Sequence, residues 1–136
     1  MSNGGTRKLF KPDVGTVAFV EFYSENPLAA KKLLQSVFGW KMVKSNVGGV
    51  DIWTFDAGNG PEGHMMAPLG LKPGTVAFVK VKSINVVTKK ILKYGGKILV
   101  PKFEVSGLGF FTYFEAPGRT VHAAFEPAAK KITRRK

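Results

Sequence analysis

The sequence predicts an α+β fold built from two tandem βαβββ modules. Three observations predict it: a six-residue repeat, a helical segment after each copy of the repeat, and three short strand segments after each helix. The repeat reads Gly-Thr-Val-Ala-Phe-Val at residues 15–20 and again at residues 74–79. Because the same order of elements follows both copies, the chain is interpreted as a tandem duplication of one structural unit.

The first module begins with a strand and a helix. Residues 16–23 are rich in β-branched and aromatic side chains, which favours a strand. Asn26 can accept hydrogen bonds from the free N–H groups of the first helical turn, and Pro27 suits the first helical position. Gly39 is expected to end the helix in a left-handed conformation. The apolar face of this helix is Ala30, Leu33, Leu34, Val37 and Phe38.

The second module repeats this order. Asn85 is expected to cap its helix and Gly95 to end it. Its apolar stripe is Ile84, Val87, Ile91 and Tyr94. The strand segments that follow the helices are residues 40–44, 49–55 and 63–67 in the first module and 97–101, 109–115 and 119–125 in the second.

These elements predict a single domain over residues 14–127, with module one at 14–67 and module two at 74–127. Residues 1–13 are interpreted as an N-terminal extension and residues 128–136 as a basic C-terminal tail. A chain of 136 residues is long enough for one domain with a core and too short for two independent domains.

Composition excludes several classes of protein. The chain has no cysteine, which rules out disulfides and thiolate metal sites. It has no apolar run near the length of about 20 residues that spans a bilayer, and no apolar segment at its start, so a cytoplasmic protein without a membrane partner is expected. The net charge of +12 is interpreted as solvating tails and lysine-rich helix faces. No nucleic-acid partner is predicted, because aromatic and basic residues do not alternate as in single-strand binders.

The chain resembles the vicinal oxygen chelate superfamily, which includes glyoxalase I, bleomycin-resistance proteins and extradiol dioxygenases. The resemblance covers about residues 15–127. It is carried by the Asn-Pro helix start that leads to Val-Phe-Gly-Trp at 37–40, by residues 93–101, and by residues 109–126, where Glu-Ala-Pro-Gly-Arg stands at 115–119. It implies an open, curled, mixed sheet around a cleft, with the helices on the outside, and a homodimer.

Alternation along the strands then assigns side chains to the cleft. On the first strand of each module these are Val17, Phe19, Glu21 and Tyr23, and Val76, Phe78, Lys80 and Lys82. On the last strand they are Thr120, His122 and Ala124. A shift of one residue would reverse each assignment.

The resemblance also implies a metal site. Metal-dependent members hold a divalent cation with His, Glu or Gln at four strand positions, two in each module. Here these positions fall on Phe19, Phe78 and His122, and on His64 or Met66. Because phenylalanine cannot ligate a metal and catalytic sites normally use three protein ligands, a complete metal site is not expected and no cofactor is assigned.

His122 and Glu21 are candidates for catalysis, and His64 is a candidate partner of His122. His122 could ligate a metal or act as an acid or base, or it could only form hydrogen bonds on the cleft wall. Glu21 could act as a general base, or form an ion pair with Lys80 at the matching position of the second module. His64 could act together with His122, also as a metal ligand, or lie in a solvated turn.

A further set of residues is predicted to contact a ligand. Aromatic and methionine side chains suit flat apolar molecules, although most aromatics in a small domain belong to its core. Lys80 would attract a carboxylate or phosphate, or protect an exposed strand edge. The candidate ligand-binding residues are Phe19, Phe78, Lys80, Trp53, Met66 and Tyr113.

The sequence therefore predicts a small-molecule-binding protein of the glyoxalase/bleomycin-resistance type, with an apolar cleft and without a complete metal site. The alternative is a lyase or isomerase of the same superfamily with an atypical divalent-metal site formed by His122, His64 and Glu21. A weaker hypothesis gives the basic tails a role in nucleic-acid binding.

Overall fold

A computed structural model describes residues 13–56 and 61–129, and it confirms the α+β fold with two βαβββ modules. The predicted N-terminal extension up to residue 12 and the predicted tail from residue 130 lie outside the described residues. The first module contains β1 (Val17–Tyr23), α1 (Pro27–Phe38), β2 (Lys41–Val47), β3 (Val50–Asp56) and β4 (Glu62–Met66). The second contains β5 (Gly74–Lys80), α2 (Ile84–Lys93), β6 (Lys97–Val105), β7 (Gly109–Glu115) and β8 (Val121–Pro127).

Backbone contacts divide the described chain into two units. The first comprises Val17–Thr75, and the second comprises Val14–Thr16 with the chain from residue 76 onward. The sheet of the first unit has the order β2-β3-β4-β1, and that of the second has the order β5-β8-β7-β6. In each sheet the first strand of the module pairs with the last in parallel, while the other neighbours are antiparallel. Among the described residues, no helix is long and apolar enough to cross a membrane.

The ends of α1 confirm the predicted capping residues. The side chain of Asn26 accepts a hydrogen bond from the Ala29 N–H at 3.2 Å, and Pro27 is the first helical residue. Gly39 adopts the left-handed conformation with φ of 71°, and its N–H donates to the Gln35 carbonyl at 2.8 Å. These contacts satisfy backbone groups that the helix itself leaves without partners.

The predicted cap of α2 is wrong by two residues. The helix begins at Ile84, so the hydroxyl of Ser83, not the amide of Asn85, accepts from the Val86 N–H at 3.2 Å. The Ile84 N–H donates to the carboxylate of Glu126 on β8 at 2.9 Å. A carboxylate is favourable at this position because the N-terminus of a helix carries partial positive charge.

The sheet of the first unit has two distinct faces. An aromatic stack connects the end of α1 to one of them: Phe38 lies 5.2 Å from Trp40, Trp40 lies 4.7 Å from Phe55, and Phe55 lies 5.2 Å from Phe22. We call this the helix face, and the opposite one the distal face. Strand register places Phe22, Trp53, Phe55 and Met65 on the helix face, and Phe19, Glu21, Tyr23, Glu62, His64 and Met66 on the distal face.

The second unit has the same arrangement. Its helix face carries Glu126, whose carboxylate contacts the start of α2. Its distal face carries an aromatic cluster in which Phe78 packs edge-on against Phe111 and Tyr113 at 5.9 and 5.4 Å. The members of this cluster are Phe78, Phe103, Phe111, Tyr113 and Phe125.

Strand register corrects the predicted orientation of the last strand. Phe78 pairs with Ala123, so Ala123 shares the distal face and His122 lies on the helix face. Ala124 lies there too, and Thr120 precedes the strand. The prediction placed these three residues beside Phe78 and is wrong by one residue. Because Ala123 and Ala124 are both buried, at 0% and 2% exposure, the hydrophobic pattern does not distinguish the two faces.

Gly63 is expected to be intolerant of any side chain. The Phe55 ring packs on this glycine, so a Cβ there would overlap with the ring, and Phe55 is buried at 2% exposure and has little room to move. We expect Gly63→Ala to lower the free energy of unfolding by about 1–3 kcal/mol through overpacking. Urea denaturation measures this change. Ser45→Ala, at an exposed position of β2, is the control and should change stability by less than about 0.5 kcal/mol; equal effects of the two variants would contradict the prediction.

Candidate functional site

A cluster of ionisable side chains lies on the distal face of the first unit. His64 stands on β4 between two carboxylates: its Nε2 lies 2.8 Å from Oε2 of Glu62, and its Nδ1 lies 3.8 Å from Oε2 of Glu21. The hydroxyl of Tyr23 donates to Oε1 of Glu21 at 2.5 Å. The four side chains therefore form a continuous polar chain, which we call the Glu62–Tyr23 chain.

The local sequence explains why these residues meet. Along a strand, alternate residues point to the same face, so Glu21 and Tyr23 share the distal face of β1, and Glu62 and His64 share that of β4. The parallel register places Glu21 directly opposite His64 and Phe19 opposite Glu62. The Phe19 ring lies 5.1 Å from the His64 ring and covers one side of it. The pairing of β1 with β4 thus assembles the cluster from residues about 40 positions apart in the chain.

Exposure decreases along the cluster. The side chain of Glu62 is 59% exposed, that of His64 is 21% exposed and that of Glu21 is 13% exposed, while Tyr23 is only 4% exposed. Burial lowers the pKa of His64, but the hydrogen bond with Glu62 and the negative charges of Glu21 and Glu62 outweigh it, so that this pKa lies above its usual value of 6.5. The cluster therefore favours the imidazolium form of His64.

This arrangement can bind hydrogen-bonding groups and transfer protons. A histidine and a half-buried carboxylate are common partners in acid–base chemistry. The apolar side chains of Phe19 and Met66 lie on the same face, and Met66 is 4% exposed. The combination of a few convergent polar groups with an apolar lining is typical of sites for small molecules.

The residues present do not fit the metal site of metal-dependent vicinal oxygen chelate proteins. Glu21, His64 and Glu62 come nearest to a ligand set, but both ring nitrogens of His64 face carboxylate oxygens and do not point with them to a common centre. In residues 13–56 and 61–129, no group of three His, Cys, Asp or Glu side chains is arranged to hold a metal ion.

Other predicted site residues lie elsewhere. Trp53 is 6% exposed on the helix face of the first unit, opposite the cluster. Phe78 and Tyr113 belong to the aromatic cluster of the second unit. Lys80 is half-buried at the end of β5, beside Phe125 in the register. Its ion pair with Glu21 would join the two units and stays a prediction.

His122 occupies a different environment from the one predicted. Its Nε2 lies 2.8 Å from the hydroxyl of Thr120, and its ring packs at 5.7 Å from that of Phe114 on the helix face. Within the second unit it therefore lies away from Phe78 and Tyr113, with which it was grouped. Its catalytic and metal-binding roles stay predictions.

Sequence reasoning placed Tyr23 on the cleft face without assigning it a role in the site, and it did not include Glu62. Strand period alone could have identified Glu62, because it stands two residues from His64. The predicted strand begins at residue 63 and so leaves out Glu62. The structure begins β4 at this residue and so places its carboxylate on the distal face.

Solved structures share this arrangement of strands and helices. Methylmalonyl-CoA epimerase of Mycobacterium tuberculosis superposes on 88% of this chain and 93% of its own, with a TM-score of 0.64 and 13% identity. The chain has the vicinal oxygen chelate fold. A protein of Bacillus halodurans, BH1468, gives a TM-score of 0.66 at 11% identity, with 89% of this chain and all of its own chain covered.

Further comparisons add one solved structure and one similar sequence. A Streptomyces coelicolor methylmalonyl-CoA epimerase variant, solved with 2-nitronate-propionyl-CoA, covers 86% of this chain with a TM-score of 0.63 and 10% identity; all of its own chain is matched. In sequence, the candidate glyoxylase CFP32 of Mycobacterium bovis is 26% identical over 110 residues, which is 76% of this chain. The chain spans 42% of the length of that protein. No family model matches the chain.

The pKa of His64 provides a direct test of the cluster. In wild-type protein we expect His64 to remain protonated to a higher pH than an exposed histidine. Glu21→Gln and Glu62→Gln should each lower its pKa, because each removes a negative charge beside the imidazole ring. The double variant should bring it below 6.5, since burial then acts alone.

Proton NMR titration of the imidazole resonances measures these shifts, and His64→Gln assigns the signals because the chain has two histidines. Glu104→Gln, at an exposed position on β6, is the matched control and should leave the titration unchanged. A His64 pKa that is the same in Glu21→Gln, Glu62→Gln and wild-type protein would contradict the described geometry.

Proposed function

We propose that this chain is a small-molecule-binding protein of the glyoxalase/bleomycin-resistance type, and that its ligand lies on the distal face of the first unit. The observation that carries the proposal is the half-buried polar pair of Glu21 and His64 beside the apolar Phe19 and Met66. Such a surface can hold an apolar group while directing a polar one. A cytoplasmic location and a homodimer, as predicted from the sequence, belong to this proposal.

The class of ligand follows from charge and from the fold. The net charge of +12 attracts anionic molecules over long distances at low salt. Structures of the same fold were solved with CoA derivatives, among them 2-nitronate-propionyl-CoA. An acyl-CoA is therefore the first probe, and a planar aromatic anion such as 8-anilinonaphthalene-1-sulfonate is the second.

The proposed surface predicts which aromatic residue matters for binding. We expect Phe19→Ala to weaken acyl-CoA binding about tenfold, a loss of about 1.4 kcal/mol, because it removes apolar contact beside His64. Phe38→Ala is the control, since Phe38 is 59% exposed at the end of α1 and lies away from this surface. Isothermal titration calorimetry measures both affinities. Circular dichroism checks that both variants fold, and equal affinities would overturn this placement of the ligand.

A second candidate function is a lyase or isomerase that works by proton transfer. The Glu62–Tyr23 chain favours it, because Glu21 is held by Tyr23 on one oxygen and faces His64 with the other. Glu21 would take a proton from the carbon next to a carbonyl group of the ligand, and His64 would stabilise the Glu21 carboxylate. The sequence hypothesis assigned a metal and His122 to this reaction. The proposal retains Glu21 and His64 and uses no metal.

Isotope exchange distinguishes the two functions. If the second candidate is correct, the protein in D2O should introduce deuterium at the α-carbon of methylmalonyl-CoA, the compound named in the similar epimerases. Glu21→Gln should slow this exchange at least a hundredfold, in line with the loss of a general base. Glu104→Gln should retain it. Binding without exchange supports the first function alone, and exchange that survives Glu21→Gln eliminates the proposed role of Glu21.

A further inference from the structure

We propose that Glu62, His64 and Glu21 form a proton relay between bulk water and the buried end of the Glu62–Tyr23 chain. The inference rests on the second candidate function, in which Glu21 takes a proton from the ligand. A buried base must release that proton before it can act again. The relay gives the distal face of the first unit a route for this release.

The exposure of the three side chains and the distances between them define the path of the proton. The exposed fraction of the side chains rises from 13% at Glu21 to 21% at His64 and 59% at Glu62, so the order along the Glu62–Tyr23 chain is also the order of access to water. Nε2 of His64 already lies at hydrogen-bond distance, 2.8 Å, from Glu62. Nδ1 lies 3.8 Å from Glu21, which is beyond a direct hydrogen bond and within reach of a small ring movement or one bridging water.

Each transfer balances. The relay operates when the ring of His64 is neutral, above its pKa. Glu62 then accepts from Nε2–H, which leaves the lone pair of Nδ1 facing Glu21. When Glu21 carries a proton, its O–H bond breaks and an Nδ1–H bond forms, which gives the imidazolium. The Nε2–H bond then breaks, an O–H bond forms on Glu62, and Glu62 releases the proton to water. Glu21 is again a carboxylate, and the ring returns to its first tautomer by exchange with water.

The groups that face His64 are consistent with this direction. On β1 they are Glu21 and Tyr23, and on β4 the group is Glu62. On β3 the residue opposite His64 is Thr54, which does not titrate at ordinary pH. Tyr23 donates to Glu21 from a position that is 4% exposed, so it closes the inner end of the route.

Glu62 could carry a proton away from His64 or only hold its ring in place, and the two roles predict opposite changes in the exchange of the Nε2 proton with water when Glu62 is replaced. If Glu62 only holds the ring, Glu62→Gln should speed the exchange of the Nε2 proton with water, because a protecting hydrogen bond is weakened. If Glu62 carries the proton away, the same variant should slow that exchange about tenfold or more. Imidazole proton exchange in 15N-histidine-labelled full-length protein measures the rate, and Glu104→Gln is the control. Faster exchange in Glu62→Gln would overturn the relay.

The measurement uses the protein without ligand, so a failed relay is distinguishable from a failure of ligand binding or of deuterium exchange.

Discussion

The parallel pairing of β1 with β4 is the constraint on which the candidate site depends. Its register places Glu21 opposite His64, and a shift by one residue would move either side chain to the helix face. The register is supported from the other side of the sheet, where Phe55 packs on Gly63 between Glu62 and His64. Packing on the helix face therefore orients the polar residues on the distal face, and the stability of the fold and the geometry of the site are coupled.

The duplicated topology shows that the two units have diverged in chemistry while keeping their strand order. Because Phe19 and Phe78 occupy the same place in the repeat, the two parallel registers relate the strands residue by residue. The corresponding pairs are Glu21 and Lys80, Glu62 and Ala123, and His64 and Phe125. The distal face of the first unit thus carries the ionisable cluster, and that of the second carries the aromatic cluster. A duplicated scaffold with one polar and one apolar distal face favours different roles for the two units.

Much of the fold could be predicted from the sequence because its signals are local. The repeat, Asn26 before Pro27 and Gly39 each act through the backbone within a few residues. The orientation of β8 could not be predicted, because Ala123 and Ala124 are both small, apolar and buried, and only pairing with β5 decides between them. The site shows the same limit: Glu21 and His64 were visible as candidates, but their contact exists only through the register of two strands distant in sequence.

The electrostatics of the cluster also differ from those of the chain as a whole. The net charge is +12, yet an imidazolium between two carboxylates has a formal charge of −1. At physiological salt, charges are screened beyond about 8 Å, so distant lysines attract an anion to the protein but contribute little at His64. Close to the cluster, Glu21 and Glu62 repel an anionic group and favour one that donates a hydrogen bond or a proton. A ligand with a remote anionic group and an uncharged, weakly acidic end satisfies both conditions, and such a ligand would bring its acidic end to Glu21.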